Sequence, residues 1–144
     1  MTAAPFKVRR ARRGDGAPIC ALISELGGYA SDAPTVTWII SHPEMELHVA
    51  ADALDKAIGF VCLAHRPQVR MGGRVASIEE LVVTQAWRRK GVGRELLKCA
   101  VERARILGVK KLEIQTLTAS SPEATAFLQS CGFAVADAAV FKLT

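Results

Sequence analysis

Residues 78–97 read Ile78-Glu79-Glu80-Leu81-Val82-Val83-Thr84-Gln85-Ala86-Trp87-Arg88-Arg89-Lys90-Gly91-Val92-Gly93-Arg94-Glu95-Leu96-Leu97. The run up to Val83 closes a strand predicted from Val75. After it come a short basic loop with two glycines and a helix. Val92, Leu96, Leu97, Ala100, Val101, Ala104 and Leu107 recur at helical spacing, with Arg94, Glu95, Lys98, Glu102 and Arg105 on the opposite face. Gly108 ends that helix. The first turn of any helix leaves backbone N–H groups without intrahelical partners, and the helix dipole adds partial positive charge there. Glycines let an anion approach that backbone, and Arg88, Arg89 and Lys90 reinforce the attraction. Strand, basic glycine loop and helix together form a phosphate-binding arrangement. A solvated charge run is the plainer reading of three cations alone.

Two common phosphate sites do not fit. A Walker loop needs Lys-Ser or Lys-Thr at the helix start, and Arg94-Glu95 follows Gly93 instead. The dinucleotide fingerprint needs a third glycine where Leu96 stands.

Working outward, Phe6 to Ala11 reads as a first strand. Asp15 is placed to cap a helix running to about Leu26, stopped by Gly27-Gly28. A second short helix is predicted from Ala33 to about Ser41, before Pro43. Glu46 to Ala51 and Ala57 to Ala64 read as strands joined by a turn at Asp52 to Lys56, and Gly72-Gly73 marks the next turn. Beyond Gly108, a strand at Lys111 to Thr116, a helix at Pro122 to Ser130 and one or two strands from Phe133 complete the order. The expectation is an α+β fold over residues 1–144 as a single domain. Its sheet is mixed and mostly antiparallel, with about six or seven strands, one parallel pair and about four helices on both faces.

The 144 residues, 15.5 kDa, half of them hydrophobic and 23% charged, have globular composition. Cys20, Cys62, Cys99 and Cys131 form no CxxC pair and fit reduced thiols in a cytoplasmic protein. His42, His48 and His65 fall in no zinc-ligand spacing, so no metal is expected. With no apolar leader and no run of membrane-spanning length, neither secretion nor membrane insertion is expected. A net charge of +5 attracts an anionic partner without choosing one. Nucleic acid is not expected, because no recognition motif or aromatic platform accompanies Lys7, Arg9, Arg10, Arg12 and Arg13.

Arg88-Arg89-Lys90-Gly91-Val92-Gly93, between Leu81-Val82-Val83 and Leu96-Leu97, resembles the acetyl-coenzyme A site of the GNAT N-acetyltransferase superfamily, whose pattern is (Gln/Arg)-x-x-Gly-x-(Gly/Ala). Ser130-Cys131-Gly132-Phe133 resembles the Gly-Phe ending of a late helix in that family, and the element order follows it over essentially the whole chain. The resemblance implies that backbone groups of Leu81, Val82 and Val83 pair with the pantetheine arm as another strand would. It implies that the amides of Arg89, Lys90, Gly91, Val92, Gly93 and Arg94 hold the pyrophosphate, with Arg88 shaping the loop. Ser121 stands where an asparagine often contacts pantetheine. Splayed fourth and fifth strands would leave the slot in which thioester and amine meet.

An amine must lose its proton before it attacks a thioester, and the departing thiolate benefits from an acid. Strict alternation puts Val75, Ser77, Glu79, Leu81 and Val83 on one face of the fourth strand. Ala76, Ile78, Glu80 and Val82 fall on the other. Glu79, four residues before the closing valine as in some relatives, is the residue chosen to deprotonate or orient the amine. Its bland reading is a strand carboxylate paired with a cation, and Glu113 is the backup. Many relatives place an acidic tyrosine four residues before the Gly-Phe glycine, where this chain has Leu128. Tyr29 could substitute, although surface packing is the plainer role for a loop tyrosine, and Cys131 reads as a small buried cap. Trp38 is expected in the core, and Trp87 in packing before the basic loop.

The resemblance implies transfer of acetyl from acetyl-coenzyme A to a primary amine of a small molecule, peptide or protein, by direct attack in a ternary complex. The alternative is a non-catalytic module that binds the same cofactor, which Leu128 keeps open. Glu79 and Asp32 lean toward a cationic acceptor, and a homodimer is compatible with exposed sheet edges.

Overall fold

A computed structural model describes residues 5–115 and 122–144. Its sheet has the order β1 (Lys7–Arg10), β2 (Met45–Ala51), β3 (Ala57–Gln68), β4 (Gly73–Val83), β5 (Leu112–Ile114). Each neighbouring pair is antiparallel except β4 and β5, which run parallel across a crossover. Helices α1 (Gly16–Ser24) and α2 (Ala33–Ile40) cover one face. Helices α3 (Val92–Leu107) and α4 (Pro122–Ser130) cover the other.

The mixed sheet and the four helices agree with the sequence reading, but the sheet has five strands among the described residues rather than six or seven. Residues 133–144 form no strand, and Val135, Val140, Phe141 and Leu143 lie exposed. Phe133 to Ala136 share a hollow with β5 but do not pair with it, and without cross-strand contacts a β-forming composition does not make a strand.

Central strands β2 and β3 are buried on both faces, which explains their nearly continuous apolar runs. On the α3 side, Val92, Leu96, Leu97, Ala100 and Ala104 are all buried, as their spacing requires. Gly59 on β3 permits this close approach, because a Cβ there would meet the Val82 carbonyl oxygen at 3.0 Å and Leu96 Cδ1 at 3.3 Å. Glu46 sits beneath α3 and accepts from Arg103 Nε at 2.7 Å and from Arg10 Nη1 at 3.4 Å. Burial alone would raise the Glu46 pKa, but these guanidinium groups together hold it below the ordinary carboxylate range.

Two local expectations change. Asp15 precedes α1 but does not cap it, because its carboxylate accepts from Arg9 Nη1 at 2.8 Å and Nη2 at 2.9 Å and from the Arg12 amide at 2.7 Å. That amide bond closes a 3-10 turn at Arg13–Asp15, and α1 follows directly. Trp38 is 63% exposed on α2, stacked edge-on against His42, rather than in the core. Only one side of α2 meets the sheet, and Val36 fills that contact.

Candidate active site

The site begins with an irregularity in β4. Cys62 pairs with Glu80 and the next residue, Leu63, pairs with Ile78, so Glu79 is an extra, unpaired residue. Such a bulge resets the alternation of side chains. Ile78, Leu81 and Val83 therefore pack toward α3, while Val82 joins the core beneath α1 and α2. Glu79 and Glu80 both line the cavity on the α1–α2 side, instead of pointing to opposite faces as strict alternation predicted.

That cavity has a volume of about 350 Å³. Ile19 and Ile23 of α1, Val36 and Ile39 of α2, and Leu47 and Phe60 of the sheet form its walls. Tyr29 and Ser31 of the loop between the two helices complete the rim. Glu79 is exposed at the edge and accepts from the Ser77 hydroxyl at 2.6 Å. Glu80 lies deeper, and burial, helped by the negative charge of Glu79, raises its pKa above the ordinary glutamate value. Neither carboxylate belongs to an ion pair among the described residues. Cys62, on the cavity wall, is buried, and desolvation with the two carboxylates pushes its thiol far above the usual range.

The other expected site residues are distributed around this point. Glu113 on β5 lines a separate hollow shared with Glu79, but it pairs with Lys111 at 2.9 Å. Asp32 uses its carboxylate to cap α2, accepting from the Thr35 amide at 2.9 Å, and does not line the cavity. Leu128 packs on the α3 side of the sheet, and Tyr29 reaches the cavity from the opposite side. Ser121 lies outside the described residues. Trp87 packs edge-on against Phe6, and Lys90 Nζ sits 5.4 Å from its ring centre.

Beyond the bulge, β4 continues without β5. The parallel pairing runs through Ala76, Ser77 and Ile78, and among the described residues no strand pairs with Leu81, Val82 and Val83 on that side. After Val83 the chain makes a 3-10 turn at Gln85–Trp87 and enters the basic loop. Arg88 folds back, donating from Nε to the Val83 carbonyl at 3.0 Å and approaching Glu25 at 3.8 Å. Glu25 also accepts from the Thr84 hydroxyl at 2.7 Å and the Gln85 amide at 3.2 Å. This tie joins the end of α1 to the start of the loop.

Arg89 and Gly91 both adopt left-handed backbone, with φ of 62° and 84°. Gly91 is the N-cap of α3, and no side chain caps the helix there. The first amides of α3 consequently face the exposed loop that carries Arg89 and Lys90. Among the described residues, nothing beyond its chain neighbours lies within 4 Å of the Cβ position of Gly91. Arg94 leans over the Phe127 ring, 5.7 Å from its centre, and donates to the Ser130 hydroxyl at 3.1 Å, linking α3 to α4. The free amides, the surrounding cations and the open space suit a polyphosphate, and the open β4 edge leads from them toward Glu79 and Glu80.

Two features escaped the sequence reading. Glu80 joins Glu79 because of the bulge, for which the adjacency Glu79-Glu80 in an otherwise apolar strand is the only sequence trace. Glu25 is brought to the loop across 59 residues of chain, and no local pattern marks it.

Comparison with known proteins identifies the family. Glucosamine 6-phosphate N-acetyltransferase 1 of Oryza sativa subsp. japonica is 35% identical over 91 residues, 60% of this chain and 53% of that protein. The match thus spans about half the length of that curated relative. An acetyltransferase from Trypanosoma brucei superposes with a TM-score of 0.81 at 19% identity, covering 97% of this chain and 100% of that one. Glucosamine-6-phosphate N-acetyltransferase from Arabidopsis thaliana superposes with a TM-score of 0.80 at 20% identity, covering 96% and 98%. At those identities the two structures share the fold. The acetyltransferase (GNAT) family model matches residues 21–133, and the chain belongs to that family.

Proposed function

We propose that this protein is an N-acetyltransferase that uses acetyl-coenzyme A as its cosubstrate and acetylates a primary amine by direct attack in a ternary complex. The observation that carries the reading is the bulge in β4, which presents Glu79 and Glu80 to a cavity on the same strand whose open edge leads to the α3 N-terminus. The family match supports acetyl transfer as the reaction class.

The residues fit the cosubstrate. The amides from Arg89 to Arg94, with Arg89 and Lys90 beside them, would hold the pyrophosphate. The backbone edge of Leu81, Val82 and Val83 would pair with the pantetheine arm, with Arg88 giving up the Val83 carbonyl to it. Bound there, acetyl-coenzyme A supplies an activated acyl group.

The acceptor enters as an ammonium ion, which the two carboxylates attract. Glu80 suits the proton transfer, because a base works best when its pKa lies near the operating pH and this one is raised. Glu79, exposed and bonded to Ser77, stabilises the ammonium and returns the proton to solvent. Cys62 stays protonated, which argues against an acyl-cysteine intermediate and for direct attack. The freed amine attacks the thioester carbonyl. As the C–N bond forms and the C–S bond breaks, the second amine proton passes to solvent, and the departing thiolate takes one from water because Leu128 offers none.

Thiol release from acetyl-coenzyme A across a panel of amines tests the reading. Turnover with at least one amine is expected, reduced roughly 100-fold or more in a Glu79→Gln, Glu80→Gln double variant. If the cosubstrate binds and no amine is consumed, the protein is a binding module, with Leu128 as the residue that explains it.

A further inference from the structure

We infer that the cavity between α1, α2 and the sheet takes a primary ammonium group carried on an uncharged apolar body, an alkylamine or arylalkylamine, and that this is the acceptor. The inference rests on the acetyltransferase reading for the word acceptor, but not for the ligand class. Ile19, Ile23, Val36, Ile39 and Phe60 make the walls apolar, and the volume of about 350 Å³ suits a small organic ligand. The charge at its end is of one sign. Glu79 and Glu80 are present, and the lining holds no lysine, arginine or histidine among the described residues. An ammonium ion placed there meets both carboxylates, while a methylene chain or ring removes its own surface and that of the walls from water.

The same arrangement opposes a phosphorylated amino sugar, the acceptor named for the rice and Arabidopsis proteins. A phosphate in this cavity would be desolvated beside two carboxylates with no counter-ion, and the sugar hydroxyls would face aliphatic walls. The neighbouring hollow does not rescue it. There, Arg66 is the one guanidinium in the lining beside Glu44, Glu79 and Glu113, and the nearby cations Arg74 and Lys111 are already engaged by Glu44 at 3.8 Å and Glu113 at 2.9 Å. His65 in its wall is held toward the neutral form by burial and by Arg74. The glucosamine phosphate specificity suggested by likeness is therefore not expected to transfer.

Calorimetric titration of the full chain with propylamine, butylamine, pentylamine, hexylamine and phenethylamine, with hexanol and glucosamine 6-phosphate as controls, tests this without requiring turnover. Burial of each added methylene tightens binding about fourfold. Hexylamine is expected to bind at least about tenfold more tightly than hexanol, because the charge pairing is lost in the alcohol. Ile23→Gln, at the half-buried wall position, is expected to flatten the chain-length series. A flat series in the wild type, equal binding of hexanol, or tighter binding of glucosamine 6-phosphate would overturn the inference. Thiol release with glucosamine 6-phosphate and none with the alkylamines would also overturn it, leaving acetyl transfer intact. Alkylamines that bind with the expected slope but are not acetylated would overturn their assignment as the acceptor, leaving only the ligand class of the cavity.

Discussion

Replacing Gly91 and Gly93 one at a time with alanine should move stability in opposite directions, although the two positions are two residues apart in one motif. Gly91 has φ 84° and ψ 1°, and its Cβ position is open to 4 Å. Nothing is gained or lost in packing, so the cost is that of a left-handed L-residue, about 1–2 kcal/mol. For a domain of this size that lowers Tm by about 3–7 °C. Gly93 lies inside α3 with ordinary backbone, and a Cβ would touch Phe127 Cζ and Val83 Cγ2 at 3.8 Å, a normal contact distance. Alanine there gains helix propensity and a little burial, up to about 1 kcal/mol. Urea unfolding followed by circular dichroism measures both differences, and an unchanged m-value shows that the native state is being compared. A neutral or stabilising Gly91→Ala, or a Gly93→Ala variant that loses as much as Gly91→Ala, would refute the assignment of the turn and with it the geometry of the α3 N-terminus.

Glu80→Gln should stabilise the protein at pH 7–8 while lowering turnover. The raised pKa means that Glu80 favours the folded state below its unfolded pKa and loses that contribution as pH rises through its folded value. The gain in Tm over wild type should therefore disappear as the pH falls to about 4, near the pKa of an unperturbed glutamate. A Tm difference that is constant across the range would contradict this. Arg103→Leu leaves Glu46, 5% exposed, with Arg10 at 3.4 Å as its nearest cation, and should cost about 3 kcal/mol, seen as a Tm roughly 10 °C lower at neutral pH. Because the Glu46 pKa is depressed, its contribution is present above the unfolded pKa and lost as pH falls through the folded one, so the gap to wild type should narrow in acid. A loss under about 1 kcal/mol at pH 7 would mean that solvent already satisfies this carboxylate.

Helix α3 was legible in the sequence because its apolar spacing is local, and each of Val92, Leu96, Leu97, Ala100 and Ala104 is buried where the period puts it. The helix start was legible too, since Gly91 takes the left-handed backbone that a glycine there permits, whereas Gly93 falls inside α3. Elements decided by distant partners were not. Asp15 looks like a helix cap until Arg9 takes its carboxylate, and Trp38 looks like core until the sheet is seen to meet only the Val36 side of α2. The segment after Phe133 has strand composition but does not pair with β5, the edge strand whose hollow it shares. The bulge mattered most, because one extra residue in β4 moved Glu79 and Glu80 from opposite faces to one cavity. No propensity encodes that shift; it arises from the pairing of β4 with β3.

The occupant of the basic loop is tested most directly by thermal unfolding of the wild type and of Gly91→Glu, each with and without acetyl-coenzyme A. At a concentration 100-fold above Kd the ligand should stabilise the wild type by about 2.7 kcal/mol, a Tm rise of about 10 °C. Gly91→Glu, which sets a carboxylate in the open space before α3, should unfold at lower temperature when free and show no ligand-dependent rise. Equal ligand shifts in the two proteins, or no shift in the wild type at millimolar acetyl-coenzyme A, would contradict the placement of the cosubstrate at the α3 N-terminus.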